Sequence, residues 1–179
     1  ANFVAGNFYR ALDRETDARG AYGWAARSIA FRSAAYVQLA EIMLAPGDVP
    51  EATRYARLAL DYDRYNVPAR QVLSMIGRRG GNAALVSSMR EQLLEIDPLH
   101  HFVWAEDHLV SGDAASGNAV TAAMRSEYPD QTILELAVDY IRRGASDDAR
   151  AVLGLGTGVA SNSLLRAWGA WLDNDPSAL

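Results

Sequence analysis

Three histidines stand close together in the chain, at His100, His101 and His108, with Glu106 and Asp107 between them. Imidazole and carboxylate are donors for a zinc-type site. His101 and His108 are seven residues apart and share a helix face, but ligand pairs on one helix sit four apart, and that spacing is missing. The competing account makes His101 a hydrogen-bonded turn histidine near Asp97 and His108 a partly exposed one, so no metal or other cofactor is expected. Arg78-Arg79 and Arg142-Arg143 occupy matching places at two helix ends. Guanidinium forks there can clamp a carboxylate, such as a peptide C-terminus; they also complement a helix C-terminus with no ligand at all. Trp24, Trp104, Trp168 and Trp171 could stack on sugars, but they are scattered along the chain. A core role is expected for them, with Trp171 the best candidate for exposure. Gly154-Leu155-Gly156-Thr157-Gly158 has the glycine content of a phosphate loop but follows a helix and lacks Lys-Ser/Thr. Asp61, Asp63, Glu91, Glu95, Asp147 and Asp148 read as solvated helix faces or caps. No Ser, His and Asp set has the context of an activated nucleophile. No catalytic residue is assigned, and the chain is not expected to be an enzyme.

Composition narrows the classes further. Half of the 179 residues are hydrophobic, ample for a continuous core, and 32 are alanine, which favours helix and close helix approach. All 17 basic residues are arginine. A Schiff-base lysine and a phosphate-loop lysine are therefore excluded. Net charge is −5 with both signs interspersed, so there is no basic footprint for nucleic acid. Without cysteine there is neither disulfide nor thiolate metal site. No apolar run has the length of a membrane span, and no signal peptide is visible. The chain begins at Ala1 and is helical in pattern almost at once; we expect a piece of a longer protein, with the cytoplasm as its compartment.

The elements that position these residues follow from a repeat. Gly47-Asp48 recurs 34 residues later as Gly81-Asn82, and Leu39-Ala40, Ala52, Ala59-Leu60 and Asp63 recur in step as Leu73-Ser74, Val86, Leu93-Leu94 and Asp97. A fixed period of this length predicts stacked helix pairs. The clearest unit is 33–66. Tyr36, Leu39, Ala40 and Met43 mark one helix face, Pro46-Gly47-Asp48 the turn, and Asp48, Pro50 and Glu51 the start of a second helix with Ala52, Ala56 and Ala59 along it. Units are placed at about 1–32, 33–66, 67–100, 101–129 and 130–156. The first has a turn at Asp13-Arg14 without glycine. The fourth is about three residues short near Gly112-Asp113, with Gly117 where a close-packing alanine belongs. Ser146 is the expected N-cap in the fifth. Gly154, Gly156 and Gly158 predict a flexible loop, 161–172 a capping helix carrying Leu164, Leu165, Trp168 and Trp171, and 174–179 a frayed tail. The whole, 1–173, reads as one domain.

Tyr36, Leu39-Ala40, Met43, Gly47-Asp48, Ala52, Ala59-Leu60 and Asp97-Pro98 together resemble the tetratricopeptide repeat. That resemblance implies an all-α, right-handed α-solenoid of about five helix pairs plus a C-terminal capping helix, with a concave groove. The stretches 97–102 and 134–140 are also similar to the repeat region of large bacterial proteins that carry a β-rich domain of unknown function linked to carbohydrate; His100 stands where asparagine is expected there.

Repeat positions project a candidate binding groove onto the first helices: Val37, Glu41 and Leu44; Gln71, Met75 and Arg78; Phe102, Ala105 and Leu109; Leu134 and Ile141. The expected function is a non-catalytic protein-interaction scaffold that holds a protein, a peptide or another domain of the same polypeptide, and neither nucleic acid nor membrane. The alternative is an accessory or dimerisation segment of a larger carbohydrate-active bacterial protein, in which a sticky cap predicts a homodimer.

Overall fold

Alanine-rich, 3.6-periodic sequence punctuated by Gly-Asp turns should give helix after helix. The computed structural model describes residues 1–124, 128–156 and 163–173. Among them are helices α1 (Asn2–Ala11), α2 (Glu15–Ala25), α3 (Arg32–Leu44), α4 (Val49–Tyr62), α5 (Val67–Arg79), α6 (Ala83–Ile96), α7 (His101–Ser111), α8 (Ala114–Ala123), α9 (Pro129–Arg142), α10 (Ser146–Gly154) and α11 (Ser163–Leu172). The fold is all-α, built of helix pairs, with no strand among the described residues.

Every pair turns on one left-handed residue. Gly47 (φ 89°), Gly81 (67°), Gly112 (67°) and Gly144 (70°) hold this position in four turns. In the first turn, which lacks glycine, Asp13 takes it with φ 54°; aspartate is among the few side chains that tolerate it. The next residue then caps the following helix in three cases. Asp48 Oδ1 accepts the Glu51 amide at 3.2 Å, Asn82 Oδ1 the Leu85 amide at 3.0 Å, and Asp113 Oδ1 the Ser116 amide at 2.7 Å. In the fifth pair the N-cap is Ala145, and Ser146 is already inside α10 without a capping bond. Gly144 closes the turn one residue earlier than the serine suggests. Both helices of the shortened fourth repeat are shorter: α7 has 11 residues against 13 in α5, and α8 has 10 against 14 in α6.

The chain divides between Ile96 and Asp97 into two compact units. In the first unit α1 pairs with α2, α3 with α4 and α5 with α6, while α3 also packs on α2 and α5. Little or no side chain stands where helices meet: Ala18, Ala52, Ala56 and Ala59 are fully buried. Gly6 lies flat beneath the buried Tyr22 ring, where a methyl group would come within 2.5 Å of Cε1. Enclosed on several sides, α3 buries Ala35, Val37, Leu39, Ala40, Ile42, Met43 and Leu44 together.

In the second unit α7 pairs with α8 and α9 with α10, and α10 also meets α7 and α11. Phe102, Val103, Val120, Ile133, Tyr140 and Val152 form its interior. Gly117 replaces the expected alanine because Leu155 and His108 crowd it: a methyl there would stand 3.1 and 3.3 Å from them. The capping helix seats Leu165 and Ala170 inward, and Arg150 of α10 ties to Asp173 at 2.5 Å. The predicted tail at 174–179, the loop glycine Gly158 and the first residues of the predicted cap lie outside the described residues.

Among the described residues, Asp13 is the one turn residue holding left-handed geometry with a side chain. Asp13→Gly should raise stability by about 0.5–1 kcal/mol and Asp13→Val lower it by about 1–2 kcal/mol. Urea unfolding followed by far-UV circular dichroism measures both; a destabilising glycine would contradict strain at this turn.

Candidate functional site

The projected binding face belongs to the first helices of the pairs. Val37, Glu41 and Leu44 on α3 are buried, as are Gln71 and Met75 on α5; Arg78 at the end of α5 is half-buried. Neighbouring helices within the first unit cover this face, because α3 touches α2, α4 and α5. In the second unit Phe102 and Ala105 on α7 are buried, while Leu109 on α7 and Leu134 and Ile141 on α9 keep partial exposure.

A carboxylate inside such packing needs a counter-charge. Arg10 of α1 provides it for Glu41: Nη1 donates to Glu41 Oε2 at 2.7 Å and to Gln38 Oε1 at 2.6 Å. The two charged side chains are 15% and 9% exposed. Beside them the Tyr22 hydroxyl donates to Asn7 Oδ1 at 2.7 Å. In the second unit the buried Glu106 accepts from the Tyr140 hydroxyl at 2.7 Å, and Phe102 stacks on that tyrosine with ring centres 5.8 Å apart. Arg70 of α5 is likewise buried; it donates to Gln92 Oε1 at 3.0 Å, to the Asn66 carbonyl at 3.3 Å and to the Arg64 carbonyl. Burial pulls its pKa down, against the nearby charges of Asp63 and Glu95.

The other candidates are dispersed or occupied. His108 shares a hydrogen bond with Ser116 Oγ at 2.9 Å, and Glu106 is held by Tyr140. No group of three or more His, Asp or Glu side chains converges as a metal site among the described residues. It is His100, half-buried, that senses Asp97; burial lowers its pKa and the Asp97 charge opposes. Of the arginine pairs, Arg79 and Arg142 are exposed, whereas Arg143 is buried with Nη1 3.5 Å from Asp139. Gly156 sits beneath Leu165 and Ile133 as a packing residue. Asp61, Asp63, Glu91, Glu95 and Asp147 are exposed and Asp148 half-exposed.

The tryptophans depart from the expectation of a common core role. Trp104 and Trp168 are partly buried, but Trp24 is exposed as well as Trp171. The Trp24 ring carries the Arg27 guanidinium 4.1 Å above its centre. Arg32 lies over Tyr62 at 4.6 Å and Arg64 over Tyr65 at 4.6 Å. These arginine–aromatic pairs sit at the junctions between helix pairs of the first unit, and the projection onto first helices passed them by. Two of them leave a local trace in the sequence, arginine three residues after an aromatic in Trp24-Ala25-Ala26-Arg27 and next to one in Arg64-Tyr65, whereas Arg32 and Tyr62 are brought together only by the fold.

In fold the chain is similar to a thermophilic tetratricopeptide-repeat protein of Thermus thermophilus, with a TM-score of 0.60 and 18% sequence identity over 97% of each chain. The likeness is one of fold, a TPR-like helical repeat. No protein-family model and no curated protein matches the chain.

The Arg10–Glu41 pair links the first helices of two successive pairs. Arg10→Met should lower stability by about 3 kcal/mol, and adding Glu41→Leu should restore most of it, because the second change removes the stranded charge. Urea unfolding of the two variants checks this; a neutral Arg10→Met would show that the pair bears no weight.

Proposed function

We propose that the chain is a non-catalytic contact module, a scaffold of TPR-like helix pairs that holds a protein or peptide segment. The observation that carries this reading is the use of the polar interior. Glu41, Arg70, Glu106 and Arg143 are buried and engaged with other residues of the fold. Large side chains suited to contact face outward instead: Phe8, Trp24, Ile29, Tyr65 and Trp171 are all exposed. On the projected face, Arg78, Leu109, Leu134 and Ile141 retain accessible surface, and binding there joins apolar contact to an oriented cation. No helix among the described residues is long and apolar enough to cross a membrane.

The test is affinity enrichment on the immobilised chain, followed by titration of each purified captured protein. A saturable complex is expected, and Arg78→Glu should weaken an acidic partner by about tenfold or more. Captured proteins that fail to bind once purified would discard the module.

One observation favours self-association as a second reading. Leu164 and Trp171, seven residues apart on α11, are both exposed, and Trp171 meets Trp168 edge-on with ring centres 5.5 Å apart. A dimer measured by light scattering should dissociate on Trp171→Glu; an unchanged dimer removes this reading.

A further inference from the structure

We propose that one edge of the first unit, formed by residues 26–31 between α2 and α3 and 63–66 between α4 and α5, docks an acidic segment bearing bulky apolar anchors. The proposal rests on the contact-module reading and names a place and a partner chemistry for it.

Ile29 is 88% exposed, Trp24 and Tyr65 each 59%, Tyr62 54% and Phe31 44%. Three guanidinium groups lie over three of these rings: Arg27 on Trp24, Arg32 on Tyr62 and Arg64 on Tyr65. A guanidinium stacked by its face keeps its N–H edge for a carboxylate. Arg27 over Trp24 and Arg64 over Tyr65 each set a cation beside an apolar ring, with Arg64 Nη2 also donating to the Tyr65 hydroxyl at 2.5 Å, whereas Arg32 is committed to the connection itself. None of the three arginines makes an ion pair with a described residue. Of the acidic groups close by in sequence, Asp63 lies within the second connection and Asp61 on α4. Asp63 Oδ1 accepts the Tyr65 amide at 3.0 Å, and Asp61 lines a shallow depression on α4 with Pro50, Thr53 and Arg57. On a chain of net charge −5, this edge sets Arg27, Arg32 and Arg64 against one carboxylate of its own, Asp63, and the complementary ligand is acidic.

The edge is also held rigid before any partner arrives. Arg32 donates through Nε to the Ala26 carbonyl at 2.9 Å and through Nη2 to the Arg27 carbonyl at 3.2 Å. Ser33 Oγ donates to the Ala59 carbonyl at 2.8 Å and accepts from Asn66 Nδ2 at 2.9 Å, which ties the two connections together. The buried Arg70 fastens the second from beneath through the Asn66 and Arg64 carbonyls. Phe31 stacks on Phe3 at 5.6 Å. Tryptophan, tyrosine and arginine on a prepared surface are the residue types that dominate binding energy, and order already present lowers the cost of binding. The same residue types also suit single-stranded nucleic acid, but the edge offers no basic tract along which a polyphosphate backbone could run.

The test uses the whole chain and two fluorescein-labelled peptides of equal length. They share the same Leu and Phe positions; the remaining positions are Glu in one and Lys in the other. Fluorescence anisotropy should show the Glu peptide binding about tenfold or more tighter, with affinity that falls as sodium chloride is added. Arg27→Ala/Arg64→Ala should weaken it by about tenfold while leaving the melting temperature unchanged, since neither side chain holds the loops; Trp24→Ala should also weaken it. Equal affinity for the two peptides, no binding of the Glu peptide, or full affinity in the double variant overturns the proposal, as does tighter binding of a labelled oligothymidylate. Loss of Glu-peptide binding on Arg78→Glu with full retention in Arg27→Ala/Arg64→Ala rejects this edge while leaving the contact-module reading in place.

Discussion

Close approach of one helix to the next is the constraint on which the other features depend. It requires residues with little or no side chain where the helices meet, and the chain places Gly6, Ala18, Ala52, Ala56, Ala59 and Gly117 there. Spacing set by such residues lets a third helix reach the face of a pair, so that α3 is enclosed by α2, α4 and α5. Each pair then depends on its neighbour for burial, as expected of a stacked repeat. The left-handed turn residue serves the same end, because it returns the second helix at once against the first.

Enclosure changes what polar side chains on the first helices can do. A charge on a helix with one wet face can sample solvent; Glu41 and Glu106 cannot, and each has a specific partner on the first helix of an adjacent pair. Such bonds add little net stability beyond what packing of the same volume would give, but a missing partner is costly, which favours one arrangement over slipped alternatives. Residues that look chemical in the sequence thereby become positioning elements. At helix ends and connections, by contrast, arginine lies over exposed tryptophan and tyrosine.

The fold was largely legible because its determinants are local and periodic. Gly47, Gly81, Gly112 and Gly144 announce their turns by residue type, Asp48 its cap, and Ala52, Ala56 and Ala59 their stripe. Asp13 was harder, since aspartate signals a cap more often than a left-handed turn; only its repeat register marked it. The exposure of the projected face was less legible. Position in the repeat places Val37 and Met75 on the first-helix side, but their accessibility depends on how closely the adjacent helices sit. The aromatic edge escaped for a related reason: Tyr36 and Tyr62 look alike in sequence, yet Tyr36 is held between Tyr55 and Tyr62 while Tyr62 faces solvent.

Sequence alone therefore determined the helical class, the pairing of helices, the turn positions and the absence of lysine and cysteine chemistry, since each follows from residue type or from spacing along one chain. Tertiary structure decided that Glu41 is held by Arg10, that Glu106 is held by Tyr140, and that Trp24 stands exposed under Arg27. These are relations between residues on different helices or on opposite sides of a turn. They depend on distances that no periodicity encodes.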